Sequence, residues 1–173
     1  MKKSIKIIMS VLIMMLIHQL SIGQNESGEK EISGYRNALG IAAGFTTGYG
    51  LSYRYTPARF GIQTTFAPYK DDYTSHYCIG VTFIYNLFET EKVNFYLYQA
   101  NSYRHTKSKD FYSNYNGWPE TKSVTEFFNN GIGFGLEFIF LRRVSFNLMG
   151  GYGAYNDFER LSLTGETGLY FKF

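Results

Sequence analysis

The stretch Leu161-Ser162-Leu163-Thr164-Gly165-Glu166-Thr167-Gly168-Leu169-Tyr170-Phe171-Lys172-Phe173 decides the fold. Leu161, Leu163, Leu169, Phe171 and Phe173 share one parity, with Gly165 and Thr167 between them. Ser162, Thr164, Glu166, Gly168, Tyr170 and Lys172 share the other. A period of two puts such sets on opposite faces of a β-strand. One face is bulky and apolar. The other is mostly small, polar or charged.

The same alternation runs backwards through the chain. Val144, Phe146, Leu148 and Tyr152 oppose Ser145, Asn147, Gly151 and Gly153. Ile132, Phe134, Leu136, Phe138 and Phe140 oppose Gly131, Gly133, Gly135 and Glu137. Tyr77, Ile79, Val81, Phe83 and Tyr85 oppose Cys78, Gly80, Thr82 and Asn86. Leu51, Tyr53 and Tyr55 oppose Ser52 and Arg54, and Leu39 and Ile41 oppose Gly40 and Ala42. Only 93–103 is blurred, because Tyr96 and Tyr98 sit opposite Val93, Phe95 and Leu97. The pattern predicts eight strands near 35–45, 48–56, 59–69, 75–87, 92–104, 127–140, 143–155 and 161–173. No amphipathic helix is discernible beyond residue 23.

An open sheet of this size would leave two unpaired edges, and closure into a barrel removes them. The polarity selects the kind of barrel. Eight strands enclose a narrow interior, which this many Leu, Ile, Phe and Tyr side chains would overfill. Small polar residues fit inside and large apolar ones fit lipid, the inverted arrangement of a membrane barrel. The expectation is an all-β fold: one antiparallel, up-and-down transmembrane β-barrel of eight strands. Turn lengths agree. The turns at 57–58, 88–91 and 141–142 are short, whereas the longest connections, 69–74 and 103–126, alternate with them and fall on the outer side. The connection after Phe45 is the exception, an outer turn that is unexpectedly tight.

Of 173 residues, 45% are hydrophobic and 18% charged, so the chain can bury a core and is not disordered by composition. Lys2, Lys3 and Lys6 precede an apolar run from Ile7 to Ile17, shorter than the ~20 residues of a spanning helix. Ser21 and Gly23 supply small residues before Gln24. These features predict a signal peptide over 1–23, a short periplasmic leader over 24–34 and a barrel domain over 35–173. Residues 1–23 hold three of the 17 basic residues and none of the 14 acidic ones, so the remainder is formally neutral. A nucleic-acid partner has no electrostatic warrant. The single Cys excludes an intramolecular disulfide.

Glu166, Gly168, Phe171 and Phe173 resemble the C-terminal assembly signal of bacterial outer-membrane barrels: polar, any, Gly, any, any, aromatic, any, aromatic. From Tyr35 onward the chain resembles small eight-stranded outer-membrane proteins of the OmpA/OmpX type, and within them the β-barrel-domain proteins of Bacteroidota-like bacteria. The resemblance implies the outer membrane of a Gram-negative bacterium and contact with its lipid, including lipopolysaccharide. It also implies the barrel-assembly machinery as a partner, an extracellular surface partner and a monomeric state. Such families hold structural, adhesive and resistance proteins and a few lipid-modifying enzymes.

Four charges, Arg54, Glu137, Glu166 and Lys172, fall on the inward parity. A narrow interior would force them to pair, so they are expected to form one lumenal salt-bridge cluster that plugs the barrel. The connection from Arg104 to Thr125 is the main candidate for outer contacts, through Lys107, Lys109, Tyr112, Tyr115 and Trp118. Lipid-A deacylase barrels use a His-x-Ser-Asn motif. Tyr112-Ser113-Asn114 resembles it but has Phe111 where the His belongs, which leaves Ser113 without a base. Ser75 and His76 are adjacent on a strand and face opposite sides. Gly131-x-Gly133-x-Gly135 lacks the helix and Lys of a phosphate loop. No metal or cofactor site is indicated. The expected role is non-enzymatic, structural or surface-interacting. The rivals are a small channel, a lipid-A-modifying enzyme and a soluble periplasmic barrel for a hydrophobic ligand.

Overall fold

The computed structural model describes residues 35–109 and 122–173. The proposed signal peptide and leader lie outside them. Eight strands follow one another: β1 (Asn37–Ala43), β2 (Tyr49–Tyr55), β3 (Phe60–Lys70), β4 (Thr74–Glu89), β5 (Val93–Lys109), β6 (Lys122–Phe140), β7 (Val144–Tyr155) and β8 (Arg160–Lys172). Each pairs antiparallel with its sequence neighbours, and β1 also pairs with β8, so the sheet closes into a barrel. Ile41 lies opposite Leu169 and Ala38 opposite Lys172 across the closing seam. The last residue extends that seam: the Phe173 N–H donates to the Asn37 carbonyl at 2.9 Å. The deciding stretch of the sequence therefore supplies the strand that closes the sheet.

The exterior is apolar. Leu161, Leu163, Leu169, Phe171 and Phe173 all face out, with Leu163 72% exposed. Ile41, Leu51, Phe66, Ile79, Ile132, Phe134 and Leu148 extend this surface around the barrel. Inside lie Ser52, Gln63, Thr65, Thr82, Ser145, Asn147 and Thr164, all buried. A water-soluble core would have the opposite polarity.

The structure corrects the expectation that small residues fill the interior. Ile84, Tyr96, Tyr98, Met149 and Tyr170 also point inward and are buried. The blurred segment of β5 is explained by this, since Tyr96 and Tyr98 are lumen-filling residues. Glycines create the space for Tyr96 and Tyr170, since a Cβ at Gly168 would press on the Tyr170 ring. Tyr96 lies opposite Gly135 in the β5–β6 register, and a Cβ at Gly135 would overlap the Tyr96 ring. A glycine beside a large aromatic thus keeps the local volume constant. A bulge between Asn86 and Phe88 interrupts the alternation of β4, and both Leu87 and Phe88 are exposed there.

Two connections differ from the reading of the sequence. The stretch 104–125 is strand at both ends: β5 runs to Lys109 and β6 begins at Lys122, with Lys109 paired to Lys122. β4, β5 and β6 have 16, 17 and 19 residues, against seven in each of β1 and β2. One wall therefore continues past the β1–β2 end. The second difference is the β1–β2 connection itself. It is not a simple outer turn, because Thr46 and Thr47 are fully buried. Gly48 and Gly50 have φ of 78° and 118°, which favour residues without a Cβ. They let the chain turn inward, and the absence of a Cβ at Gly80 and Gly131 makes room for Thr47 and Thr46.

Candidate functional site

Three of the four predicted inward charges meet. Glu137 of β6 receives Lys172 of β8 at 3.0 Å and lies 3.6 Å from the Arg54 guanidinium of β2. The other Glu137 oxygen accepts from Asn94 Nδ2 at 2.7 Å. Arg54 donates through Nε and Nη2 to Gln63 Oε1 at 3.2 and 2.7 Å, and through Nη1 to Asn147 Oδ1 at 3.1 Å. Tyr96 donates to the same Asn147 oxygen at 3.0 Å. The guanidinium lies 4.5 Å from the Tyr170 ring centre, and the Tyr170 hydroxyl lies 2.9 Å from Ser52 Oγ. Residues of six strands, β2, β3, β5, β6, β7 and β8, thus bridge the lumen through Arg54 and Glu137. The arrangement satisfies most of the donors a buried guanidinium presents.

Glu166 does not belong to this group, which corrects the expected four-charge cluster. Its carboxylate is occupied by the inward β1–β2 connection. The backbone N–H groups of Thr46 and Thr47 donate to it at 3.2 and 2.8 Å. The Thr46 hydroxyl also donates to it, and Thr164 Oγ1 does so at 3.0 Å. Two successive backbone N–H groups and two hydroxyls suit an anion without any countercharge. The connection is held from other walls as well. Ser102 Oγ and Asn129 Nδ2 donate to the Phe45 carbonyl at 2.9 and 3.0 Å. Sharing a face was legible by parity. Pairing was not, because a carboxylate can be neutralised by backbone dipoles as well as by cations. The glycines around Phe45-Thr46-Thr47 were the available signal for an inward turn.

The remaining predicted residues fall into three groups. In the proposed assembly signal, Phe171 and Phe173 face out, while Glu166 and Gly168 face in. Of the proposed outer contacts, Lys107 is exposed on β5 and Lys109 ends β5. Tyr112, Tyr115, Trp118 and Ser113 lie outside the described residues.

The extended β4–β6 wall carries two polar clusters that the sequence did not suggest. On its outward face His105 meets Glu126 at 3.0 Å and stacks on Tyr77 at 4.8 Å. On its inward face His76 Nδ1 lies 2.7 Å from Thr106 Oγ1, and Nε2 bonds the Tyr49 hydroxyl. The Arg104 guanidinium lies 5.3 Å from the Tyr49 ring centre.

No protein-family model and no curated protein sequence matches the chain. Among solved structures it is similar to the N-terminal β-barrel domain of OprF from Pseudomonas aeruginosa, at 17% identity and a TM-score of 0.47, covering 79% of this chain and 95% of that one. It is also similar to Neisserial surface protein A, at 18% identity and a TM-score of 0.48, covering 79% and 93%. Ail, the attachment invasion locus protein of Yersinia pestis, is similar at 15% identity and a TM-score of 0.41, covering 79% and 93%. The likeness to all three is one of barrel architecture, and this chain is itself an all-antiparallel closed barrel of eight strands.

Proposed function

We propose that the protein is a non-conducting barrel of a bacterial outer membrane, with a structural or surface-interaction role carried by its extended β4–β6 wall. The single observation behind this reading is the inverted polarity combined with a lumen blocked at two levels. The apolar exterior suits hydrocarbon, where a closed barrel leaves no unpaired backbone edge. The Arg54–Glu137–Lys172 group crosses the lumen at one level, and the Thr46–Thr47–Glu166 group fills it at another. Ions would have to displace both. The exposed part of the extended wall would then meet partners or lipopolysaccharide. We further propose export through the N-terminal signal, insertion by the barrel-assembly machinery through the C-terminal strand, and a monomeric state.

The test is expression of the full chain, followed by gel mobility of outer-membrane extracts with and without boiling, and by conductance in planar bilayers. A heat-dependent shift in the membrane fraction with no steady conductance is expected. A soluble periplasmic product without a shift overturns the membrane assignment. Steady conductance overturns the closed lumen in favour of a small channel. Altered lipid A on overexpression would favour an enzyme instead.

A further inference from the structure

We propose that the outer mouth of the barrel holds a binding site for one tetrahedral oxyanion, a phosphoryl or sulfate group, formed by Arg104 and the Tyr49 hydroxyl, with His76 positioning that hydroxyl. The proposal rests on the outward orientation of this mouth given under Proposed function. The three residues come from separate parts of the chain. Arg104 and Thr106 are on β5, His76 is on the neighbouring β4, and Tyr49 begins β2 just after the inward connection. Cys78 pairs with Arg104 and His76 with Thr106 in the β4–β5 register, so Arg104 and His76 are diagonal neighbours. Their side chains share a face, as the contacts His76–Thr106, Tyr49–His76 and Arg104–Tyr49 require.

Charge makes this place unusual. Among the described residues, the buried inward charges Arg54, Glu137, Glu166 and Lys172 all have partners. Glu137 holds Arg54 and Lys172, and Glu166 is occupied by Thr46, Thr47 and Thr164. Glu126, on a nearby stretch of the wall, pairs with His105. Among the described residues no carboxylate pairs with Arg104, and its buried Nε–H has no acceptor. A guanidinium N–H buried without an acceptor is costly, and a guanidinium is always charged. An incoming oxyanion would supply both the missing acceptor and the missing charge.

The neighbours suit that ligand. Arginine presents a planar fork of donors that matches phosphate and sulfate oxygens. Thr106 Oγ1 donating to His76 Nδ1 leaves the ring proton on Nε2, which donates to the Tyr49 oxygen and frees the Tyr49 hydroxyl proton for the ligand. Tyr49, His76, Arg104 and Thr106 are each half-buried, so the place is not sealed from the mouth. They line the inner side of the wall, away from the lipid-facing apolar surface. That placement favours an anion arriving through water over a lipid headgroup of the same chemistry.

The experiment is an NMR titration of the protein refolded in zwitterionic detergent micelles. Sodium sulfate and inorganic phosphate are compared with sodium chloride at matched ionic strength. Saturable shifts at Tyr49, His76, Arg104 and Thr106 with sulfate and phosphate, but not chloride, are expected. Arg104→Gln should weaken binding about tenfold or more, as loss of a charge-assisted hydrogen bond implies. Arg104→Lys should retain part of it. The heat-dependent gel shift shows separately whether each variant is folded in its barrel, so a failed fold is not mistaken for a failed site. A second arm places the protein in vesicles with and without lipopolysaccharide. Shifts at the same residues with free anions identify a water-borne ligand; shifts only with lipopolysaccharide identify its phosphates as the source. Shifts that are absent in both arms, that chloride reproduces, or that a folded Arg104→Gln leaves unchanged overturn the site.

Discussion

The Glu166 carboxylate of β8 accepts the backbone N–H of Thr47 at 2.8 Å, across the inside of the barrel. An acidic side chain on the last strand thus holds the first connection of the barrel in place. The two residues are 119 positions apart, so the contact belongs wholly to the closed fold. Glu166→Gln should loosen the connection. An amide places a donor where backbone donors already point, and each lost hydrogen bond to a charged group is worth about 1.5–3 kcal/mol. Faster amide exchange at Thr46 and Thr47 is expected, with no new conductance, because the Arg54 level stays closed. Unchanged exchange at both amides would show that Glu166 is not what holds them.

Among the described residues, Glu137 is the one carboxylate between Arg54 and Lys172. Glu137→Gln leaves two cations facing each other in a buried setting. Removing one partner of a buried ion pair destabilises by about 3–5 kcal/mol. A clear fall in the denaturant midpoint of the refolded barrel is expected. A midpoint equal to that of the native protein would mean the group is not structural.

The lumen is tuned by complementary sizes. Gly135→Ala would push a methyl group into the Tyr96 ring. Overpacking of this kind costs about 1–3 kcal/mol. In a Tyr96→Ala background the same substitution should be nearly neutral, because the obstructing ring is gone. A double-mutant cycle measures the coupling. Additive effects would show that the two sites do not touch.

The exterior distinguishes lipid from water. Leu169 faces out, opposite Ile41 across the closing seam. Leu169→Arg should destabilise the barrel in bilayers by about 2–4 kcal/mol if it lies near the midplane. An exposed site in water would tolerate the change within about 0.5 kcal/mol. Folding titrations in vesicles separate these outcomes.

The β3–β4 turn carries a pH dependence. Asp71 accepts from the Tyr69 hydroxyl and from the backbone N–H groups of Tyr73 and Thr74, at 2.8, 2.8 and 2.6 Å. These bonds, the Tyr69 hydroxyl first, hold its carboxyl below the usual carboxylate range. A lowered folded pKa contributes stability that is present above the unfolded value and lost as pH falls through the folded one. Amide exchange at Tyr73 and Thr74, compared at equal intrinsic rates, should therefore lose protection below pH ~4. Asp71→Asn should abolish that pH dependence. A titration unaltered by this substitution would place its origin elsewhere.

Much of the barrel was legible because strand alternation is a local property. Leu161, Leu163, Leu169, Phe171 and Phe173 face out and Glu166, Tyr170 and Lys172 face in, as their parity alone requires. Inversion of polarity was legible for the same reason, since every strand repeats it and a narrow interior cannot hold the bulky set. Residues that broke the rule could not be placed by composition. Tyr96 fits inside only because Gly135 of β6 makes room across the ladder. That depends on register between β5 and β6, which a single strand does not contain.

Parity put Arg54, Glu137, Glu166 and Lys172 on inward faces, but height along the barrel and the course of the β1–β2 connection decided which of them meet. Arg54, Lys172 and Glu137 came together. Glu166 was taken by Thr46 and Thr47, whose backbone donors acquire their direction only from the turn. Sequence by itself therefore determined the strands, their two faces and the sign of the inside, because those follow from period and volume. Tertiary structure alone decided how the lumen closes and where Arg104 is left without an acid among the described residues, because those depend on distances across the closed sheet.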